Sequence, residues 1–162
     1  MKFTATFHTM EVFQNLKMQN NMEDNVFGKM EFNVGWYTTK SVDFWNKRYV
    51  LKMRTSTLFE ECPNGSQKQA YLHFNADIAN ISSKSFDLVS EFIEDNIEEI
   101  EDVFGTPIPT DIHELIIPQQ VLFFKNGKTA IICKAIWTDE NVVVLISDKM
   151  QVDFGYIIEN ER

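Results

Sequence analysis

Cysteine is scarce in this chain. Two residues, Cys62 and Cys133, stand far apart in 162 and form no CxxC unit. That rules out a disulfide framework and a zinc ribbon, and both are expected as free thiols, Cys62 in a turn and Cys133 in the core. Histidine is nearly as rare: His8, His73 and His113 fall in no HExxH or His–carboxylate spacing, so no metal site and no cofactor is expected. The six glycines are scattered at turns and build no GxGxxG, Walker loop or GxSxG, the backbone devices for phosphate binding and for a serine nucleophile. The absence of these constellations favours a non-enzymatic protein.

Clustered positive charge is also missing. No basic run exceeds Lys47-Arg48, and the net charge is -9 with a pI near 4.8. Phosphate binding needs grouped Lys and Arg, so nucleic acid and anionic membrane surfaces are excluded as partners. No stretch approaches the roughly 18 apolar residues of a membrane span. The start, Met1 to His8, lacks an apolar signal core, which makes the cytoplasm the expected location.

What is present points to a packed interior. The apolar fraction is 44%, and 14 phenylalanines favour an aromatic-rich core in a single domain. The segment 66–104 carries the sustained helical period. Ala70, Tyr71, Phe74, Ile78 and Ile81 recur at spacings of three and four, and Phe86, Val89, Phe92, Ile93, Ile97 and Ile100 resume the stripe. Asn64 or Ser66 can cap its start, and Gly105 and Pro107 end it. Ser82-Ser83-Lys84-Ser85 interrupts the stripe, predicting two consecutive helices or one bent at the serines.

Strand-like sequence flanks this segment. Gly28 to Phe32, Trp36 to Phe44 and Lys47 to Ser56 form an N-terminal β section, with turns at 33–35 and 45–46. Gln120 to Lys125 and Lys128 to Trp137 flank Asn126-Gly127, a strong hairpin signal. Val142 to Ile146 reads as a strand buried on both faces, and Gln151 to Ile158 alternates. The tail 159–162 is expected to fray. Short links favour antiparallel pairing, so the expected class is α+β: one or two antiparallel sheets covered by the helical segment. Residues 26–158 make the domain. Residues 1–25, alternating at Phe3, Ala5 and Phe7, helical at Met10, Phe13 and Leu16, and a polar loop or linker from Gln19 to Asn25, are expected as an extension packed on it.

Val26-Phe27-Gly28, Gly35-Trp36 and Gln67-Lys68-Gln69-Ala70-Tyr71 with Phe74 resemble the opening of a family of uncharacterised bacterial domains. Trp137-Thr138-Asp139-Glu140, leading into an apolar strand, is similar to the family's end, although Thr138 separates Trp137 from Asp139 and no glycine follows Glu140. The resemblance spans about residues 26–158. It implies no established chemistry. The family's company among toxin-immunity proteins implies a binding protein.

The helical segment has a second, acidic face. Glu91, Glu94, Asp95, Glu98, Glu101 and Asp102 occur with no Lys or Arg among them. Like charges four apart cost about 0.2–0.5 kcal/mol per pair, and acids at a helix C-terminus oppose the macrodipole. Packing of the apolar face must therefore hold the helix. The stripe either solubilises or binds a basic partner such as a toxin, with Trp45 and Trp137 beside it as exposed anchors. A stripe on one helix cannot furnish the opposed carboxylates of a glycosidase. A small-ligand site or enzyme between helix and sheet, and self-association, are the alternative readings.

Overall fold

A computed structural model of the chain describes residues 20–58 and 61–161. The patterns at Phe3 to Phe7 and Met10 to Leu16 lie outside them. The described residues build one eight-stranded sheet whose spatial order follows the chain. Its strands are β1 (Asn21–Asp24), β2 (Gly28–Phe32), β3 (Trp36–Phe44), β4 (Lys47–Thr55), β5 (Ile116–Phe123), β6 (Thr129–Ala135), β7 (Asn141–Ile146) and β8 (Met150–Phe154). Between β4 and β5 come three helices, α1 (Gly65–Ala76), α2 (Ile78–Asp95) and α3 (Ile97–Phe104). The class is α+β.

Neighbouring strands are antiparallel except β4 and β5, which run parallel with Arg54 opposite Leu122. A parallel neighbour needs a long crossover. The helical segment is that crossover, and it joins the two β sections into a single sheet.

Turn chemistry sets the N-terminal hairpins. Asp24 Oδ1 accepts hydrogen bonds from the backbone N–H of Val26 (2.8 Å) and Phe27 (2.9 Å), closing the β1–β2 turn. The polar stretch expected as a linker is therefore partly a strand: β1 pairs with β2 from Asn21 opposite Glu31 to Asp24 opposite Gly28. An edge strand has one neighbour and needs no apolar run. At the β3–β4 turn, Trp45 (φ 52°) and Asn46 (φ 59°) both occupy the left-handed region, as a two-residue hairpin loop requires.

Helix α1 starts at a capping box. Asn64 Oδ1 accepts from Gln67 N–H, and Gln67 Oε1 accepts from Asn64 N–H. The breaks fall at Asp77 and Asn96, not at the serines. Ser85 Oγ donates to the Ser82 carbonyl and Ser90 Oγ to the Phe86 carbonyl. Of the interrupting run, Ser85 is thus bonded back within α2, and the run opens no new cap. The expectation of a frayed tail is corrected over residues 159–161. Gly155–Glu161 is a 3-10 segment, pinned where Glu161 accepts from Lys128 Nζ (2.6 Å) and Asn126 Nδ2 (2.7 Å).

Two apolar clusters result. In the larger, the Phe123 ring meets Phe27, Tyr71 and Phe74 edge-on at 5.6–6.1 Å, tying β5 to α1 and to the β1–β2 turn. The smaller gathers Leu122, Phe124, Ala130, Ile132, Val143 and Leu145 with Ile158 of the 3-10 segment. Since successive strand residues point to opposite faces, β5, β6 and β7 are buried on both.

Candidate functional site

Two surfaces merit description, one that the sequence singles out and one that it does not. On α2 and α3, Glu91, Glu94, Asp95, Glu98 and Asp102 are exposed and Glu101 is half-buried. The other face sends Val89, Phe92, Ile93 and Ile100 into the core. No ion pair among the described residues involves these six acids. Interleaved with them stand exposed apolar side chains, Ile97, Val103 and Phe104, where a solvated helix end would carry polar ones.

Trp45 and Trp137 do not join this surface. Trp45 is 1% exposed and Trp137 is 7% exposed, so the expectation of exposed anchors is corrected. The reason is specific for Trp45. Its indole Nε1 donates to Ser85 Oγ at 2.9 Å, and its backbone N–H donates to Ser82 Oγ at 2.7 Å. A bulky residue at positive φ is costly. These two bonds to α2, a tilted contact with Phe44 and an edge contact with Phe86 hold it there and staple the β3–β4 hairpin to the helix. Trp137 lies in the main core, and its indole N–H has no acceptor among the described residues.

The second surface is a cavity of about 610 Å3 on the smaller cluster's face of the sheet. The register builds it. Arg54 faces Leu122 across the parallel pair, and Gln120, Ile132 and Val143 lie in one row across β5, β6 and β7. Leu122, Ile132, Val143 and Ile158 make an apolar floor, with Arg54 and Lys125 at its edge. Helix α1 packs on Phe123, the neighbour of Leu122 that points the opposite way. The cavity is thus not the site between helix and sheet that the sequence offered as an alternative.

Arg54 is tightly oriented. Its Nε donates to Gln120 Oε1 at 3.1 Å, its Nη1 donates to the carbonyls of Asn33 and Val34, and its guanidinium lies 5.3 Å from the Tyr37 ring centre. Partial burial pulls its pKa down from the ordinary arginine value, with Tyr37 opposing, yet an arginine remains charged. Lys125 is instead paired with Glu61 at 2.6 Å, and hydrogen bonding from that lysine holds the Glu61 carboxyl below the usual range.

Other reactive groups are placed quietly. Burial pushes the Cys133 thiol far above its ordinary value, which suppresses the nucleophilic thiolate. Cys62 is exposed, as expected. The Tyr49 hydroxyl and His113 Nδ1 are 2.7 Å apart, both residues are half-buried, and the Phe86 ring centre lies 6.5 Å from that of the imidazole. His73 is exposed, and His8 lies outside the described residues. Among the described residues no three His, Cys, Asp or Glu side chains are grouped to hold a metal ion, and no helix there is long and apolar enough to cross a membrane.

The cavity escaped the sequence because Arg54 looks there like one more outward residue of an alternating strand. The signal available was the double apolar phase of Val121-Leu122-Phe123-Phe124 and of 142–146, which announces a second buried face. Placing Arg54 beside it required the parallel β4–β5 pairing, which no local pattern encodes. No protein-family model, curated protein or solved structure matches the chain.

Proposed function

We propose that this chain is a non-enzymatic protein-binding domain, an immunity or antitoxin-like factor that occludes a basic partner. The helical segment 66–104 lies as a cover on one face of the sheet and turns its acidic side outward. One observation carries this reading: six carboxylates without an ion-pair partner among the described residues stand on α2 and α3 around exposed Ile97, Val103 and Phe104. Unpaired like charges disfavour the free helix, and a basic partner relieves that cost while steering encounter. The apolar side chains supply the area that charge alone does not. The resemblance to toxin-immunity-type domains supports the same reading. With both tryptophans in the core, the anchoring role passes to Val103 and Phe104.

The test is capture from a host lysate on the immobilised full chain, eluted with a salt gradient. Beside it runs a variant with Glu94, Glu98 and Glu101 each changed to Lys. The expected result is one basic protein held stoichiometrically, released at moderate salt and missing from the variant. Equal retention by both chains, or recovery of this chain alone, counts against the proposal.

A further inference from the structure

We infer that the cavity on the sheet face opposite α1 binds an organic monoanion with an apolar body, of the medium-chain carboxylate class. Its charge and its lining select that ligand together. The chain has 24 acidic residues against 15 Lys and Arg, yet no carboxylate among the described residues pairs with half-buried Arg54. The Gln120 side chain and the Asn33 and Val34 carbonyls occupy Nε and Nη1. Nη2 has no acceptor among the described residues, so it can donate a charge-assisted hydrogen bond to a carboxylate oxygen.

Of the described residues that line the cavity, Arg54 and Lys125 are the charged ones, and Glu61 neutralises Lys125 at 2.6 Å, so the lining carries one net positive charge. A phosphate ester would bring more negative charge than the site balances. An uncharged hydrocarbon would leave Arg54 unpaired. Beneath the cation, Leu122, Ile132, Val143 and Ile158 present only carbon. A volume near 610 Å3 falls in the usual range for small-molecule sites, roughly 300–1,000 Å3. At the rim, Val34 is 85% exposed with φ 54°, a β-branched side chain held in the left-handed region with its apolar surface in water. Strain of this kind collects at ligand contacts.

Calorimetric titration of the full chain with sodium octanoate and with 1-octanol tests the assignment. Methyl chemical shifts are followed in parallel. One saturable site is expected, with octanoate binding about tenfold or more tighter than 1-octanol, the worth of a charge-assisted hydrogen bond. The methyls of Leu122, Ile132 and Val143 should shift while those of Val89 and Ile100 stay still. Arg54→Gln should erase the preference for octanoate, and Arg54→Lys should keep most of it. Absence of saturation, equal affinity for the two probes in the unaltered chain, or shifts confined to the α2 side would each overturn the proposal. The probe comparison and the shift map need no variant, so loosening of the Asn33–Val34 turn by Arg54→Gln cannot hide the answer.

Discussion

On the sheet face turned away from α1, β3 and β4 present Tyr37, Thr39, Ser41, Asp43, Arg48 and Lys52, whereas β5 to β7 present Leu122, Ala130, Ile132, Val143 and Leu145. The same sheet is therefore solvated over one half and buried over the other. The halves meet at β4 and β5, where Arg54 stands opposite Leu122. Strands wet on one side alternate, and strands dry on both read as continuous apolar runs. The C-terminal half is held by two layers of packing. The N-terminal half has one layer and depends more on its turns.

Paired truncations sharpen that contrast most. Leu145→Ala removes a side chain 3% exposed in the smaller cluster, and should cost about 2–5 kcal/mol in denaturant unfolding. Val50→Ala, on the same face but 69% exposed, should change stability by less than about 0.5 kcal/mol. Similar losses at both positions would break the comparison, because the halves would then be packed alike.

Turn dependence of the N-terminal half predicts the next effect. A Cβ on Gly35 (φ 119°) would lie 2.4 Å from the Thr55 carbonyl oxygen, so Gly35→Ala adds a backbone clash to an unfavourable φ. Gly28 (φ 80°) has open space around that position. Gly35→Ala should therefore lose about 2–3 kcal/mol and Gly28→Ala about 1 kcal/mol. Thermal unfolding of both decides it, and equal shifts would mean that the Thr55 carbonyl yields.

Much of this division is visible in the amino-acid sequence. The apolar run 142–146 announces a strand dry on both faces, Asn126-Gly127 marks the β5–β6 hairpin, and Asn64 with Gln67 spells a capping box. What is hidden depends on contacts remote in sequence. Trp45 beside a turn looks like a surface anchor until α2 places Ser82 and Ser85 against it. Asn21–Asp24 looks like linker because an edge strand needs little apolar signal. The serine run of α2 looks like a break until Ser85 is seen bonding back along the helix and Ser82 accepting from Trp45. Six acids in a row are legible as a stripe, whereas a lone arginine facing an apolar floor is not.

Asp24 gives the smallest effect and the one most specific to the N-terminal half. Burial alone would raise its pKa. The N–H groups of Phe27 and Val26 and the Lys68 ammonium, 3.1 Å from Oδ2, outweigh burial and lower it beneath the ordinary 3.8. A depressed carboxyl stabilises the fold above its unfolded value, and that contribution disappears as pH falls through the folded one. Asparagine retains an oxygen for both N–H groups but loses the charge and the ion pair to α1. Asp24→Asn should therefore cost about 1–2 kcal/mol at pH 7. Its deficit should hold steady down to about pH 5 and narrow below 3.8, as the native carboxylate itself takes up a proton. Asp43→Asn serves as the control: its pair with Arg48 is 78% and 65% exposed, so a change within about 0.5 kcal/mol is expected. Urea unfolding of the three chains at pH 7 and pH 3 makes the measurement. A deficit for Asp24→Asn that is as large at pH 3 as at pH 7 would mean that the turn is held by shape and not by charge, and the solvated half would then have lost its electrostatic tie to α1.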